Sequence, residues 1–179
     1  MQTSRIALTV LAIAALAAAG CFLITGQIVV SFAMPSPFTA LNTGTLASVD
    51  VDLNTVSEYS KHKNELKQVE DMALTGDFHN NTSSPANVSV YIVPAGTAGL
   101  TTAQLTSGQG VALWGPLAVA ANGTEHIDWN RSSGLFTGRQ ALIDEIKGDG
   151  HFRLYFIANG AFDVTITNGA VVSVLSAGK

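Results

Sequence analysis

The sequence has a single cysteine, Cys21, in 179 residues, and charged residues make up only 12% of the chain. One cysteine cannot form a disulfide within its own chain, so in an oxidising compartment the thiol is free, paired with another chain or modified. The 9 basic residues form no long block and no patch interleaved with aromatic residues, and the 13 acidic residues outnumber them. The usual electrostatic signature of a nucleic-acid-binding protein is therefore absent, and we expect no nucleic-acid partner.

The sequence also lacks the short motifs that mark common catalytic sites. It contains no Gly-x-Ser-x-Gly nucleophile elbow, no His-Glu-x-x-His zinc motif and no acidic residues at the spacing of a calcium-binding loop. A hydrolytic triad also needs a positioned base and an oxyanion site, and the sequence indicates neither. We therefore expect a protein that is not an enzyme and that carries no cofactor.

His126 and Asp128 are the candidate metal ligands, because they are two residues apart on a predicted strand. That spacing places them about 7 Å apart on one face, which a shared metal ion can bridge. The sequence indicates no third ligand, and a polar strand face exposed to solvent explains the pair better. A metal-dependent hydrolase built on these two residues is the least favoured alternative.

The first twenty-one residues have the order of charge, apolar run and small residues that is typical of an export signal. Arg5 supplies the positive charge, and residues 6–19 form an apolar run that is broken only by a threonine. As a helix this run is about 21 Å long, which is shorter than the roughly 30 Å hydrocarbon core of a bilayer. The pattern predicts a signal peptide at 1–20 and a single domain at 21–179.

The residues Ala18-Ala19-Gly20-Cys21 resemble the lipobox of bacterial lipoproteins, in which the cysteine receives a lipid and becomes the new N-terminus. Ala18 stands where a leucine is usual. The resemblance implies that lipid on Cys21 ties the protein to a membrane, facing the periplasm or the exterior. Two alternatives remain open: cleavage after Ala19 that releases a soluble protein, and a retained signal anchor in which residues 22–30 lengthen the apolar run.

The rest of the chain is a series of short, β-branched segments separated by turn residues. Predicted strands cover 24–32, 49–53, 72–78, 88–93, 111–121, 124–129, 151–158, 162–167 and 171–175. We expect one hairpin from 72–78 with 88–93 and another from 151–158 with 162–167, while helices are predicted at 56–72 and 135–147. This order predicts a mainly β fold, an antiparallel two-sheet β-sandwich with two short helices in the connections.

Together these features predict an exported, membrane-anchored lipoprotein whose β-sandwich binds a partner or contributes to the cell envelope without catalysis. Trp114 and Trp129 are candidates for a carbohydrate-stacking surface, although two tryptophans in a sandwich more often belong to the core. Asparagines in N-x-[ST] sequons indicate exposed polar loops, and they are Asn80, Asn81, Asn87, Asn122 and Asn130. In an alternative, strand 24–32 adds to the open sheet edge of a neighbouring subunit in a surface assembly.

Overall fold

The computed structural model describes residues 26–42 and 46–178, which form two antiparallel sheets. The strands are β1 (Gln27–Ala33), β2 (Phe38–Leu41), β3 (Ser48–Asp52), β4 (Leu66–Asn80), β5 (Ala86–Pro94), β6 (Val111–Val119), β7 (Thr124–Ile127), β8 (His151–Ala158) and β9 (Asp163–Ala177). The α-helical segments are α1 (Ser57–His62), α2 (Thr102–Gln104), α3 (Trp129–Ser133) and α4 (Arg139–Lys147). The predicted two-sheet β-sandwich is confirmed.

The strand order identifies the type of sandwich. Sheet 1 has the order β1-β9-β4-β7, and β2 pairs with β9 beyond the end of β1, while sheet 2 has the order β3-β8-β5-β6. From β3 onward the chain passes to the other sheet at nearly every connection, so that strands adjacent in sequence are rarely partners. This order is that of a jelly roll, in which two Greek keys are wrapped into two facing sheets.

Both predicted hairpins are wrong, because the turns connect strands of different sheets. The residues of β8 pair with β3 and β5, whereas those of β9 pair with β1, β2 and β4. In the same way, β4 belongs to sheet 1 and β5 to sheet 2. Residues such as Asn159 and Gly160 specify that the chain reverses, but they do not specify which strand the next segment joins.

The predicted helix at 56–72 is wrong from Leu66 onward. Helix α1 ends at His62, and β4 begins at Leu66 and continues to Asn80. From Leu66 onward the residues pair with β9, starting with Leu66 opposite Ala177. These ladder hydrogen bonds to a distant strand override the local helical pattern of apolar residues.

The last two predicted strands are one continuous strand, β9. Asn168 does not end the strand; it adopts a φ of 54° within β9, close to a register shift between Thr75 and Asp77 of β4. Gly76 has a φ of 146°, and a Cβ atom there would lie 3.1 Å from Gly169 Cα. The turn signal in the sequence therefore marks a β-bulge, where the chain bends without leaving the sheet.

The two sheets enclose a single hydrophobic core. Phe78 of sheet 1 stacks on Trp114 of sheet 2 with ring centroids 5.5 Å apart. The ring centroids of Phe38 and Phe156 are 5.2 Å apart. A second, smaller layer lies on the outer face of sheet 2, where the segment 95–110 buries Leu105. Helices α1 and α4 contribute to the buried cluster through Tyr59, Leu142 and Ile146.

The hydroxyl of Ser132 secures the part of β4 that extends past the short strand β7. Ser132 is fully buried at the end of α3, and its Oγ accepts hydrogen bonds from Leu74 N (2.7 Å) and Trp114 Nε1 (3.1 Å). Asp71 holds α3 and the start of α4 against β4, because its carboxylate accepts hydrogen bonds from Trp129 Nε1 at 2.9 Å and Arg139 Nη2 at 3.1 Å. Helix α3 thus replaces a missing strand at this edge.

We predict that Ser132→Ala lowers the free energy of unfolding by about 1–3 kcal/mol, because it leaves the Leu74 N–H buried without an acceptor. Ser133→Ala is the matched control, since the Ser133 hydroxyl donates to Asn130 O within α3 and holds no group of β4. Denaturant titration measures both variants. Equal losses in the two variants would contradict the role assigned to Ser132.

Candidate functional site

The outer face of sheet 1 carries a cluster of polar side chains from four adjacent strands. Alternation along β4 explains it, because Phe78 points into the core while its neighbours point outward. We call this surface the polar face and define it by Thr39, Asp77, His79, Thr124, His126 and Thr165. It is the candidate binding surface of the protein.

An imidazole–carboxylate pair lies on the polar face where β4 pairs with the edge strand β7. His126 Nδ1 is 2.6 Å from Asp77 Oδ1, and Asn168 Nδ2 donates to Asp77 Oδ2 at 2.9 Å. The hydrogen bond from His126, followed by that from Asn168, holds the pKa of Asp77 below its usual range. The His126 side chain is 74% exposed, so it is accessible to a partner.

The neighbouring row of the polar face is also linked across strands. His79 Nδ1 lies 2.8 Å from Thr124 Oγ1, and Asn81 Nδ2 donates to Asp163 Oδ1 at 2.7 Å and to Thr165 Oγ1 at 2.9 Å. Such cross-strand pairs fix the side chains in position while leaving the other donors and acceptors open to solvent. The arrangement suits the hydrogen bonding of a polar partner.

The two candidate metal ligands have separate roles in the structure. His126 pairs with Asp77, whereas Asp128 caps α3 by accepting a hydrogen bond from Arg131 N at 2.8 Å. Within residues 26–42 and 46–178, no cluster of three or more His, Cys, Asp or Glu side chains has a geometry suited to a metal ion. Cys21, the predicted lipidation site, lies outside the described residues.

The structure decides between the two readings of the tryptophans and corrects the expectation that all the sequon asparagines are exposed. Trp114 is only 1% exposed and belongs to the core, so the two tryptophans do not form a common exposed surface. Asn80 is fully buried. Its amide is satisfied there, since Nδ2 donates to Ser84 O at 2.8 Å and Oδ1 accepts from Thr82 N at 3.0 Å. The other four sequon asparagines are exposed.

A second charged cluster lies on β3 and β8 of sheet 2. Asp50 Oδ2 is 3.1 Å from His151 Nε2, and Asp50 Oδ1 is 3.3 Å from Arg153 Nη2. The hydrogen bond that His151 donates to Asp50 raises the pKa of His151, with further contributions from Asp52 and Asp149, and the same bond lowers the pKa of Asp50. This cluster couples the edge strand β3 to the protonation of one histidine.

Sequence reasoning identified His126 but missed its partner Asp77 and Asn168, which donates a hydrogen bond to Asp77. They are 49 and 42 positions away in the chain, and only the pairing of β7 with β4 and the bulge in β9 bring them together. The cluster of Asp50, His151 and Arg153 depends in the same way on β3 pairing with β8. Local spacing carries no signal for either group.

Comparisons with known proteins add little. No family model matches the chain, and no curated protein matches it. Among solved structures it is similar to a Desmodium yellow mottle tymovirus chain, at 13% identity and a TM-score of 0.31, covering 86% of this chain and 90% of that one. A chain of the infectious bursal disease virus particle matches at 10% identity and a TM-score of 0.38, covering 84% of this chain and 31% of that one.

Likenesses with TM-scores this low carry no argument about function, and the jelly-roll assignment rests on the strand order alone.

A separate finding concerns the helices. In the part of the chain that the structure describes, none is both long and apolar enough to cross a membrane.

We predict that Asp50→Asn lowers the pKa of His151, because it removes the carboxylate that stabilises the imidazolium. A raised histidine pKa contributes stability below the ordinary histidine pKa, and this contribution is lost as the pH rises through the raised value. The stability difference between wild type and variant therefore narrows as the pH rises through the pKa of His151. It also narrows as the pH falls through the lowered pKa of Asp50.

NMR titration of the His151 ring protons measures the pKa, and denaturation at several pH values measures the stability. Asp128→Asn is the control, since Asp128 caps α3 and has no hydrogen bond to His151. An unchanged His151 pKa in Asp50→Asn would show that the pair does not form in solution.

Proposed function

We propose that the protein is an exported lipoprotein, tied to a membrane by lipid on Cys21, and that its jelly-roll domain binds a partner or contributes to the cell envelope without catalysis. The observation that carries the proposal is the opening sequence, in which a positive start and an apolar run lead to small residues and the one cysteine of the chain. A cysteine at that position has no intrachain partner, which suits a modified thiol.

The position of β1 supports an anchor close to the folded domain. Strand β1 begins at Gln27, six residues after Cys21. A chain of six residues spans at most roughly 20 Å when fully extended. Lipid on Cys21 would therefore hold the start of β1 near the membrane surface, and two or three acyl chains are enough for a stable anchor.

The polar face supports binding in preference to chemistry. Within the described residues, the His126 ring has Asp77 as its hydrogen-bond partner and no hydroxyl that it could activate, whereas the His79 ring contacts Thr124 but no carboxylate. A serine-type triad needs a nucleophile, a base and an orienting acid in one chain of hydrogen bonds. The exposed His126 ring and the His79–Thr124 pair instead offer hydrogen-bonding groups, which suits a protein or carbohydrate surface rich in such groups.

The test is lipid labelling of the full chain in a host that processes lipoproteins. We predict that radioactive palmitate labels the wild-type protein in the membrane fraction, and that Cys21→Ser removes the label because no other thiol is present. Ala18→Leu, which supplies the leucine usual in a lipobox, should keep or increase the labelled fraction. Intact mass should show loss of residues 1–20 and addition of lipid.

Each alternative gives a distinct mass. A signal anchor retains Met1 and stays unlabelled in the membrane, while ordinary signal cleavage after Ala19 leaves an unlabelled soluble product. Either result would refute the lipid anchor.

A further inference from the structure

The edges of the two sheets differ in how their backbone groups are protected. An edge strand exposes a row of unpaired N–H and C=O groups that can pair with another chain, and natural proteins usually cover, shorten or charge such strands. In this fold the edges are β6 and β3 in sheet 2, and β7 with β4 on one side of sheet 1. The fourth edge is formed by β1 and, beyond it, β2.

The edge at β6 is covered by the segment that precedes α4. Gly115 N donates to Leu135 O at 2.9 Å, and Thr137 N and Gly138 N both donate to Leu113 O, at 2.9 and 3.1 Å. The opposite edge of sheet 1 is protected as well, because β7 has only four residues and Ser132 of α3 takes over the Leu74 N–H beyond it. Neither edge is open to a long strand.

The edge at β3 is short and charged. It has five residues, and the hydrogen bond from Leu53 N to Gly150 O sets which of them face β8. By the alternation of an antiparallel ladder, the backbone groups of Asp50 and Asp52 point away from β8. Two carboxylates on an edge strand disfavour the approach of another strand.

Within residues 26–42 and 46–178, no segment forms backbone hydrogen bonds with the open side of β1. The strand is seven residues long, contains no charge and no proline, and pairs with β9 over its whole length without a bulge. Val29 on this strand is 59% exposed. An apolar, regular edge of this length is suited to strand addition.

Two hydrogen bonds establish which backbone groups of β1 are free. Gly26 O accepts from Ala177 N at 2.7 Å, and Met34 N donates to Gly169 O at 2.8 Å, so the even-numbered residues face β9. The N–H and C=O groups of the odd-numbered residues therefore point to the open side, and these are Gln27, Val29, Ser31 and Ala33.

We propose that β1 pairs antiparallel with β1 of a second copy of this chain, about a two-fold axis at Val30. In this register Gln27 lies opposite Ala33 of the other copy, and Val29 lies opposite Ser31. The four residues of each strand whose backbone groups point to the open side then form hydrogen-bonded pairs, which gives roughly eight backbone hydrogen bonds. Sheet 1 continues from one copy into the other.

The groove beside β1 fits this occupant. Gln27, Ile28 and Val29 line it on one side and Glu58, Lys61 and His62 of α1 on the other, and its volume is about 470 Å³. In the proposed register, the part of the second copy that enters the groove is Ser31 to Ala33, where the outward side chains are small.

The charges of α1 favour a neutral strand over a charged peptide. Lys61 lies 4.0 Å from Glu58, and His62 Nδ1 lies 3.7 Å from Glu65. Each basic group on this wall already has an acidic neighbour, so a charged partner would gain little there. Strand β1 of a second copy carries no charge, and its contact therefore leaves these pairs undisturbed.

The contact of two strands is small compared with the roughly 1,200 Å² or more that stable protein interfaces bury. The pairing should therefore be weak in dilute solution and favoured when copies are concentrated on one membrane. The expected gain in pairing at the membrane rests on the proposed function, because it needs the lipid anchor. The register of the two strands follows from the free backbone groups of β1 alone. The two copies of Gln27 would lie about 20 Å apart along the strands, so both chains can reach the same membrane.

The test is cross-linking of the full chain in membranes, with Ser31→Cys and a short bismaleimide. In the proposed register the two Ser31 positions are diagonal neighbours, with Cβ atoms about 7–8 Å apart. We expect a cross-linked dimer from Ser31→Cys and none from Val111→Cys, which places the thiol on the edge strand β6, where Val111 is 51% exposed. The parent chain, which contains only Cys21, gives the background.

A second change tests the edge itself. Val29→Lys in the Ser31→Cys background should reduce the dimer fraction roughly tenfold, because it places two lysines near the two-fold axis. Val111→Lys in the same background is the matched control and should have no effect. Unchanged thermal unfolding of both lysine variants would show that the domain is intact.

Three results would overturn the proposal: no dimer from folded Ser31→Cys, equal dimer from Val111→Cys, or a product whose mass shows a different protein or a ladder of higher oligomers. Intact mass of the same sample reports the lipid on Cys21. A missing lipid with an intact dimer refutes the anchor alone, and a lipidated monomer refutes the strand pairing alone.

Discussion

The need to pair backbone N–H and C=O groups at the sheet edges determines much of this structure. Helix α3 lies beside β4 because Leu74 would otherwise have no acceptor where β7 ends, and the Ser132 hydroxyl supplies one. Asn80 has a similar role in the loops between the sheets, where its buried amide donates hydrogen bonds to the carbonyls of Ser84 and Ala120. The Ser132 and Asn80 side chains thus satisfy backbone groups that the two sheets leave unpaired.

The sequence predicts the fold class but not the strand partners. Alternation of apolar and polar residues and the spacing of turns are local properties, and they correctly indicate a two-sheet sandwich. The turn at 159–161 is correctly located, but the strands that it connects lie in different sheets. The segment 66–72 looks helical in isolation and becomes a strand because β9, about a hundred residues later, offers it a ladder. Pairing is decided by contacts that no local window contains.

The same limit applies to the candidate site. His126 is recognisable in the sequence as a polar residue on a strand, but its partner Asp77 becomes a neighbour only through the pairing of β4 with β7. Asp128 follows the end of that strand and caps α3. Its position before Trp129 and Arg131 fits this role. The prediction for Cys21 rests on the sequence pattern of residues 1–21 alone, and it stays a prediction because the residue lies outside the described part of the chain.

The anchor proposed at Cys21 and the open edge of β1 are adjacent in sequence. Lipid on Cys21 would therefore bring the open β1 strands of several copies together on one membrane. The polar face would stay available for another partner. Amide hydrogen exchange of β1, measured on the full chain at the membrane, tests this most directly. The amides of Ile28, Val30 and Phe32 face β9 and are protected in any case. The account predicts equal protection for Val29 and Ser31, and rapid exchange at those two residues beside protected neighbours would contradict it.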